Sequence, residues 1–235
     1  MSDTGIISFL GAAVAHFYYP SLTTKCLPIW LLALRCMMLS EHQVPDRTIA
    51  YGLIVSSMGD ASLWLETADG VADNLREPLF MIGLVCFLVA HILYIKAMLG
   101  HTSFHTKWLS LPIFVYYMTM MYVILPAAPE ELGLPIMIYG LAISVMGYAA
   151  LNFWHNCVSP AWQKNAVLGL VGALFFIISD TILALAKFVP AYKAVFQGYH
   201  QEAVMGTYYI GQLLIARSCM FDAGTGPAKN SKKKD

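Results

Sequence analysis

Long runs of apolar residues, separated by short polar breaks, make up most of the chain. A helix needs about 20 residues to cross the roughly 30 Å of hydrocarbon in a bilayer, and most of the runs are close to that length. The pattern therefore predicts eight membrane-spanning helices, the first of them short. They are Thr4–Tyr19, Leu22–Ser40, Thr48–Leu65, Glu77–Leu99, Trp108–Pro126, Leu132–Trp154, Asn165–Phe188 and Gln201–Met220.

The breaks between the runs are polar or contain proline and glycine. Short connections place consecutive helices antiparallel in one bundle, and a backbone in lipid satisfies its hydrogen bonds by forming helices. The predicted fold class is therefore all-α, a polytopic bundle with a single transmembrane domain over residues 1–220. Residues 221–235 are expected to form a basic, disordered cytoplasmic tail.

Composition agrees with lipid as the surroundings of this bundle. Hydrophobic residues make up 58% of the 235 and charged residues only 12%, with a mean hydropathy of +0.63. A soluble domain carries roughly 25% charged residues, so this chain has too few to cover a surface facing water. The composition excludes a disordered chain, a nucleic-acid-binding protein and a typical cytosolic enzyme.

The charges beside the runs predict the orientation. Breaks on the side of the two termini carry Arg47, Lys107 and Lys164, whereas the opposite breaks are rich in Asp and Glu. An excess of Lys and Arg marks the cytoplasmic side, so both termini are expected in the cytoplasm. Lys232 and Lys233 match the dilysine retrieval pattern of endoplasmic-reticulum membrane proteins. The alternative is a solvated tail that only fixes the topology.

Two segments in the first half of the chain read like two segments in the second. Gly59–Leu65 resembles Ser179–Leu185, and His91–Leu93 resembles Gln212–Leu214, at nearly equal separations. An offset of four helices would give two parallel halves. The alternative is a chance likeness between leucine-rich helices.

Two aspartates lie inside apolar runs, Asp60 in the third and Asp180 in the seventh. A charged group near the centre of a membrane helix costs roughly 2.5–3.5 kcal/mol on insertion scales, so each needs a reason. Both helices are expected to run towards the far side, which places the carboxyl groups at similar depth. In one apolar cavity they would divide into a proton donor and an ionised group. Separate structural pairing with a hydroxyl or a lysine is the alternative.

Other polar side chains accompany the aspartates. Lys25 and Lys187 are expected near the far interface, as ligands of a phosphate headgroup, as interfacial anchors or as counter-ions of the aspartates. The remaining candidates form two pairs, each on one helix face. These pairs, which either contact substrate or only pack, are His91 with Tyr94 and Tyr208 with Gln212. Methionine and aromatic residues of the fifth run are expected to face the bilayer or to pack, rather than to line an acyl-chain tunnel.

Five motifs, in order along the chain, carry a resemblance to a known family. They are Lys25-Cys26-Leu27-Pro28, Gly59-Asp60-x-x-Leu63, Gly83…His91-x-x-Tyr94, Gly172-Ala173-Leu174-Phe175-Phe176-Ile177-Ile178-Ser179-Asp180 and Tyr208-Tyr209-x-x-Gln212. Through them the chain, from about Lys25 to Ser218, resembles the YhhN family of membrane proteins, whose animal members are transmembrane lysoplasmalogenases.

The resemblance implies a hydrolase. Family members cleave the vinyl ether bond of lysoplasmalogens, which are 1-alkenyl lysophospholipids with choline or ethanolamine heads, to a fatty aldehyde and a glycerophospho-base. It also implies an endoplasmic-reticulum location, a lysophospholipid substrate with water and membrane lipid as partners, and no metal or organic cofactor.

This reaction suits two carboxyl groups. An enol ether is cleaved by protonation of its β-carbon, after which water adds to the oxocarbenium ion and the hemiacetal collapses. As in glycosidases, one acid donates the proton and one carboxylate stabilises the cation and orients water. We hypothesise that Asp60 and Asp180 divide these roles, and the sequence leaves open which takes which. The residues expected to hold the substrate are Lys25, Lys187, His91, Tyr94, Tyr208 and Gln212.

Two other classes of function remain open. A small-solute or proton-coupled transporter would also use intramembrane acids and a repeat. A lipid-binding scaffold would bind the substrate without turning it over.

Overall fold

A computed structural model describes residues 3–38, 47–100, 106–157, 160–195 and 198–218. Within these ranges the chain is all-helical, as predicted, with 3-10 turns flanking α5. The helices are α1 (Asp3–Tyr18), α2 (Leu22–Met38), α3 (Arg47–Thr67), α4 (Asp73–Leu99), α5 (Ser110–Ile124), α6 (Glu130–His155), α7 (Pro160–Phe188), α8 (Pro190–Val195) and α9 (His200–Ser218). The dilysine pattern and the whole predicted tail lie outside the described residues.

Eight long helices, α1–α7 and α9, lie where the apolar runs predict them. Two of them begin at least four residues earlier than their runs, α4 at Asp73 and α7 at Pro160. Their first turns contain polar residues or proline, which suit a helix N-terminus but do not count towards an apolar run. The six-residue helix α8 forms within the break that follows α7 and was not predicted.

Four stretches of the described chain are long and apolar enough to cross a membrane: Asp73–Leu99, Lys107–Ala127, Glu130–His155 and Trp162–Phe188. The apolar part of α1, Thr4–Tyr18, is shorter. By this measure the prediction of eight spans is not confirmed. Helices α3 and α9 carry polar side chains that are buried inside the bundle, among them Asp60 and Gln212, and such residues lower the hydropathy of a helix. The chain is a multi-pass helical membrane protein.

Two helix pairs, α3 with α4 and α7 with α9, pack along much of their length. Glycines allow this close approach between helices. A Cβ atom at Gly172 would lie 2.8 Å from the backbone nitrogen of Ile215, and one at Gly211 would lie 3.0 Å from that of Phe176. Between α3 and α4, a Cβ at Gly83 would meet a leucine side chain at 2.8 Å. These are the two pairs that the suggested duplication relates, and the duplication itself stays a prediction.

The core lies where α2, α3, α4, α6, α7 and α9 meet, and it contains fully buried residues such as Ile29, Leu53 and Ile215. The outer surface is also apolar, with large side chains such as Trp30 and Phe114 more than half exposed. A soluble monomer rarely exposes so much apolar surface, whereas lipid solvates it. The polar side chains that concern function therefore stand out inside the bundle.

Candidate active site

Asp60 lies on α3 with only 3% of its surface exposed. The Tyr208 hydroxyl, from α9, donates a hydrogen bond of 2.6 Å to its Oδ2. The Lys25 ammonium, from α2, lies 4.0 Å from its Oδ1. Three helices thus bring an anion, a cation and a phenol together, which is the pairing that a buried charge requires.

A chain of hydrogen bonds continues from Tyr208 into the core. Its hydroxyl lies 2.9 Å from the hydroxyl of Ser56, which accepts a bond of 2.7 Å from the side-chain amide of Gln212. The amide oxygen of Gln212 in turn accepts a bond of 2.8 Å from Tyr94. This network links α3, α4 and α9. It unites five of the predicted site residues, because Lys25 and Asp60 stand at its end.

Asp180, on α7, has a simpler environment. The hydroxyl of Tyr139, on α6, donates a short hydrogen bond to its Oδ2. Among the described residues, no other hydrogen bond and no ion pair reaches this carboxyl group. A second hydroxyl pair lies beside it, where Tyr116 and Thr181 are 2.7 Å apart. Asp180 is therefore held by one neutral donor, whereas Asp60 faces a cation.

A small, partly open groove between α5, α6 and α7 leads to Asp180 and holds about 60 Å³ of free space. Polar groups line one part and hydrocarbon the rest. The lining residues are Tyr116, Tyr117, Met120, Met121, Ile124, Ile136, Tyr139, Gly140, Ile143, Ser144, Asp180, Thr181 and Ala184. Asp60 is not among them, so this groove is not the expected pocket shared by both aspartates.

Four methionine and aromatic residues of α5 line the groove, whereas two others, Met118 and Tyr122, face outwards with 49% and 81% of their surface exposed. The expectation that this set faces lipid or packs therefore holds for only part of it. Helical periodicity separates the two faces. The sequence contained this periodicity, but it did not show which face of α5 meets a cavity.

His91 lies between the two acidic sites and is fully buried on α4. Its ring centroid is 5.3 Å from that of Tyr139 and 4.9 Å from that of Phe176, and Phe176 lies 5.5 Å from Tyr208. Aromatic rings thus separate the two carboxyl groups. Among the described residues, neither nitrogen of His91 has a hydrogen-bond partner, which is costly for a buried polar group.

The two carboxyl groups belong to different hydrogen-bond networks. The sequence prediction placed the two carboxyl groups at similar depth in one cavity, and the similar depth stays a prediction. It did not anticipate that one would be enclosed by a polar network and the other would line a groove.

The second predicted lysine lies apart from both aspartates. The Lys187 ammonium is 2.6 Å from the carboxylate of Glu66 and 4.2 Å from the ring centroid of Phe80. Its side chain is 30% exposed, against 12% for Lys25. Both lysines therefore have carboxylate partners, but only Lys25 belongs to an aspartate site.

Sequence reasoning missed Ser56 and Tyr139. Ser56 lies one helical turn before Asp60, so the four-residue spacing that places both on one face could have identified it. Tyr139 lies in an apolar helix, and only the packing of α6 against α7 reveals its partner. In the described ranges, no group of three or more His, Cys, Asp and Glu side chains is placed to hold a metal ion.

These features define a class: a multi-pass helical membrane protein with two acidic groups inside its bundle. Comparison with known proteins gives the family. The sequence model of the YhhN family matches residues 21–219, and the chain belongs to that family, as predicted.

Curated relatives include enzymes. Bovine lysoplasmalogenase TMEM86A is 30% identical over 208 residues, covering 83% of this chain and 76% of the relative. The human TMEM86A lysoplasmalogenase is 31% identical over 206 residues, with the same coverage. Human lysoplasmalogenase TMEM86B is 28% identical over 198 residues, covering 83% and 74%. They confirm the prediction of an enzyme. No solved structure matches the chain significantly.

Proposed function

We propose that this protein is a lysoplasmalogenase, which hydrolyses the vinyl ether bond of 1-alkenyl-glycerophosphocholine or -ethanolamine. The products are a fatty aldehyde and the glycerophospho-base. The observation that carries the proposal is the pair of aspartates inside the bundle in unequal surroundings, one buried beside a cation and one beside a groove. The relatives named lysoplasmalogenases support the same reaction.

Asp180 is the proton donor in this proposal. It lines a groove whose other residues are mostly apolar, and a neutral phenol is its hydrogen-bond donor. With Tyr139 at Oδ2, the other carboxyl oxygen is left to carry a proton towards the substrate. A carboxyl group in apolar surroundings without a cation favours the neutral acid, as general-acid catalysis requires.

Asp60 is the ionised partner. The Lys25 ammonium at 4.0 Å and the Tyr208 hydroxyl at 2.6 Å both stabilise a carboxylate. A fixed negative charge inside the bundle stabilises a developing cation, because electrostatic interactions are strong in a medium of low dielectric constant.

The reaction then balances in three steps. Asp180 gives its proton to the β-carbon of the vinyl ether. The two π electrons form the new C–H bond, and a lone pair of the ether oxygen stabilises the resulting cation as an oxocarbenium ion. Water adds to the carbon next to oxygen while its proton returns to the Asp180 carboxylate, which lines the groove. The hemiacetal transfers its hydroxyl proton to the ether oxygen as the carbon–oxygen bond breaks, which releases the aldehyde and the alcohol. Both aspartates then have their starting protonation states.

The other site residues would hold the substrate and water. His91, buried between the two sites, can bind water or a glycerol hydroxyl through a ring nitrogen. Tyr94 and Gln212 fix the polar network behind Asp60. The phosphate is proposed to meet Lys25, which can contact two anions, and Lys187 at the edge of the bundle.

We also propose that the protein spans the endoplasmic-reticulum membrane eight times, in two parallel halves, with both termini in the cytoplasm. The apolar runs, the Lys and Arg bias and the lysines at positions 232 and 233 support this arrangement.

Tags at each terminus should be accessible after permeabilising only the plasma membrane. Replacing both lysines by alanine should release the protein from the endoplasmic reticulum. A tag protected in the lumen would contradict the topology.

The function is tested by aldehyde release from a 1-alkenyl lysophospholipid, using protein purified in detergent. Asp60→Asn and Asp180→Asn should each reduce kcat at least about 100-fold, the usual contribution of acid–base catalysis. The matched control is Asp69→Asn, at an exposed position on the connection between α3 and α4.

Folding of each variant is checked by its elution profile and thermal unfolding. A transporter would release no aldehyde in a system without compartments, so an inactive wild-type protein would contradict the proposal. Near-full activity in either buried variant would show that the two aspartates do not act as a pair.

A further inference from the structure

The groove beside Asp180 changes character along its length. Tyr116, Tyr139 and Thr181 place hydroxyl groups around the carboxyl group, and Tyr116 pairs with Thr181 at 2.7 Å. The other part is lined only by hydrocarbon and thioether groups. Its residues are Met120, Met121, Ile124, Ile136 and Ala184. The groove therefore has hydroxyl and carboxyl groups at one end and apolar side chains at the other.

The order of residues in the helices gives the groove its length. From Tyr116 to Ile124, α5 advances eight residues, or about 12 Å at about 1.5 Å per residue. On α7, Ala184 lies one turn beyond Asp180 and faces the same way. An extended alkyl segment could follow this path, with its first carbons near Asp180, if flexible lining side chains such as Met121 move aside.

Gly140 on α6, which has no side chain, makes room for this path. A Cβ atom at Gly140 would lie 2.7 Å from the terminal methyl of Met121 and 3.4 Å from the ring of Tyr117. Met121 can therefore lie across the face of α6. Because methionine is flexible and unbranched, it adapts to occupants of different shape.

The outer face of α5 meets hydrocarbon. Leu111, Phe114 and Val115 expose 64%, 58% and 55% of their surface, as expected beside lipid chains. An amphiphile in the bilayer thus meets the groove from an apolar environment.

We infer that this groove binds the alkenyl chain of the substrate, with the ether end at Asp180 and the chain among Met121, Ile124 and Ile136. The inference rests on the proposed function and extends it, because the groove then sets the preference for chain length. A bulk membrane lipid that merely fills a crevice is the competing occupant.

The test compares kcat/KM across alkenyl lysolipids of increasing chain length, in detergent. Ala184→Leu fills the apolar end and should reduce kcat/KM for the longest chain at least about tenfold relative to the shortest, as expected from losing the burial of about two methylene groups. Met121→Ala widens the groove and should shift the preference towards longer chains. Ala186→Leu, on the same helix but outside the lining, is the matched control and should keep the wild-type profile.

The possible results distinguish a failure of this inference from a failure of the proposed function. If the wild-type protein releases aldehyde but Ala184→Leu and Met121→Ala keep its chain-length profile, the groove assignment is overturned and the function stands. A non-hydrolysable alkyl lysolipid with a photoreactive group near the chain end tests binding without turnover. It should label peptides containing Met121 and Ile136, less so in Ala184→Leu. Labelling confined to outward residues such as Leu111 and Phe114 would overturn the inference, even for an inactive protein.

Discussion

The surroundings of Asp60 and Asp180 differ more than their similar sequence contexts suggest. Asp60 is enclosed by a cation, a phenol and a chain of three further polar side chains. Asp180 has one phenol and lines a groove. One carboxyl group thus lies inside a polar network beside an ammonium group, and the other lines a groove.

Two identical residues at like positions can thus have different surroundings when only their neighbours change. The partner of Asp60 on α2 has no counterpart near Asp180 among the described residues. Paired carboxyl groups in hydrolases are divided into acid and base by the same kind of environmental contrast.

Removing the cation should disable the Asp60 site. Lys25→Met leaves a buried carboxyl group unpaired, and breaking a buried ion pair costs about 3–5 kcal/mol. We expect a clear fall in the midpoint of thermal unfolding in detergent and a loss of at least about tenfold in kcat. The double variant Lys25→Met with Asp60→Asn should regain stability but not activity, because both charges are then absent. A Lys25→Met protein as stable and as active as the wild type would show that Asp60 does not depend on this cation.

Removing the phenol should weaken the Asp180 site. Tyr139→Phe removes the hydrogen bond to Asp180, which becomes a bond to a charged group only as the acid loses its proton, and such bonds are worth about 1.5–3 kcal/mol. Because the effect falls on the reacting group, kcat should fall about tenfold or more, with KM little changed. Tyr208→Phe is the matched change at Asp60 and should lower stability more than Tyr139→Phe. An unchanged kcat in Tyr139→Phe would argue against Asp180 as the proton donor.

Breaking the network behind Asp60 should affect stability more than chemistry. Ser56→Ala leaves Tyr208 and Gln212 without a shared partner, at a cost of about 1–3 kcal/mol for the buried groups. The unfolding midpoint should fall, while kcat changes less than tenfold. Ser8→Ala is the control, because Ser8 is exposed and bonds only to its own helix. Equal stability of the two variants would show that the network adds no rigidity.

The smallest effect is expected at Lys187. Its ion pair with Glu66 is partly exposed, and such pairs are worth about 0.2–1 kcal/mol. Lys187→Met should therefore raise KM for the lysolipid by at most about fivefold and leave kcat unchanged. A fall in kcat as large as that of Lys25→Met would place Lys187 in the catalytic site, contrary to its distance from both aspartates.

Much of the fold could be predicted, because apolar runs of helical length leave the backbone one way to satisfy its hydrogen bonds. Asp60 and its partners Lys25, Tyr208 and Gln212 were also predictable as candidates, since polar residues inside apolar helices are costly and need one another. The side of each helix that meets a given neighbour was not predictable, because it depends on how the helices are rotated.

That limit explains what was missed. Tyr139 and the groove depend on contacts among α5, α6 and α7, whose sequences are apolar on every side and so carry little information about orientation. Lys187 pairs with Glu66 on a helix more than 100 residues away in sequence, and charge alone could not distinguish that partner from Asp180.

The protonation of the two aspartates is the most direct test of the account. Infrared difference spectroscopy of the purified protein at neutral pH detects the carbonyl stretching band of a protonated carboxyl group. The account predicts that this band is lost in Asp180→Asn and retained in Asp60→Asn. A band that disappears in Asp60→Asn and persists in Asp180→Asn would contradict it.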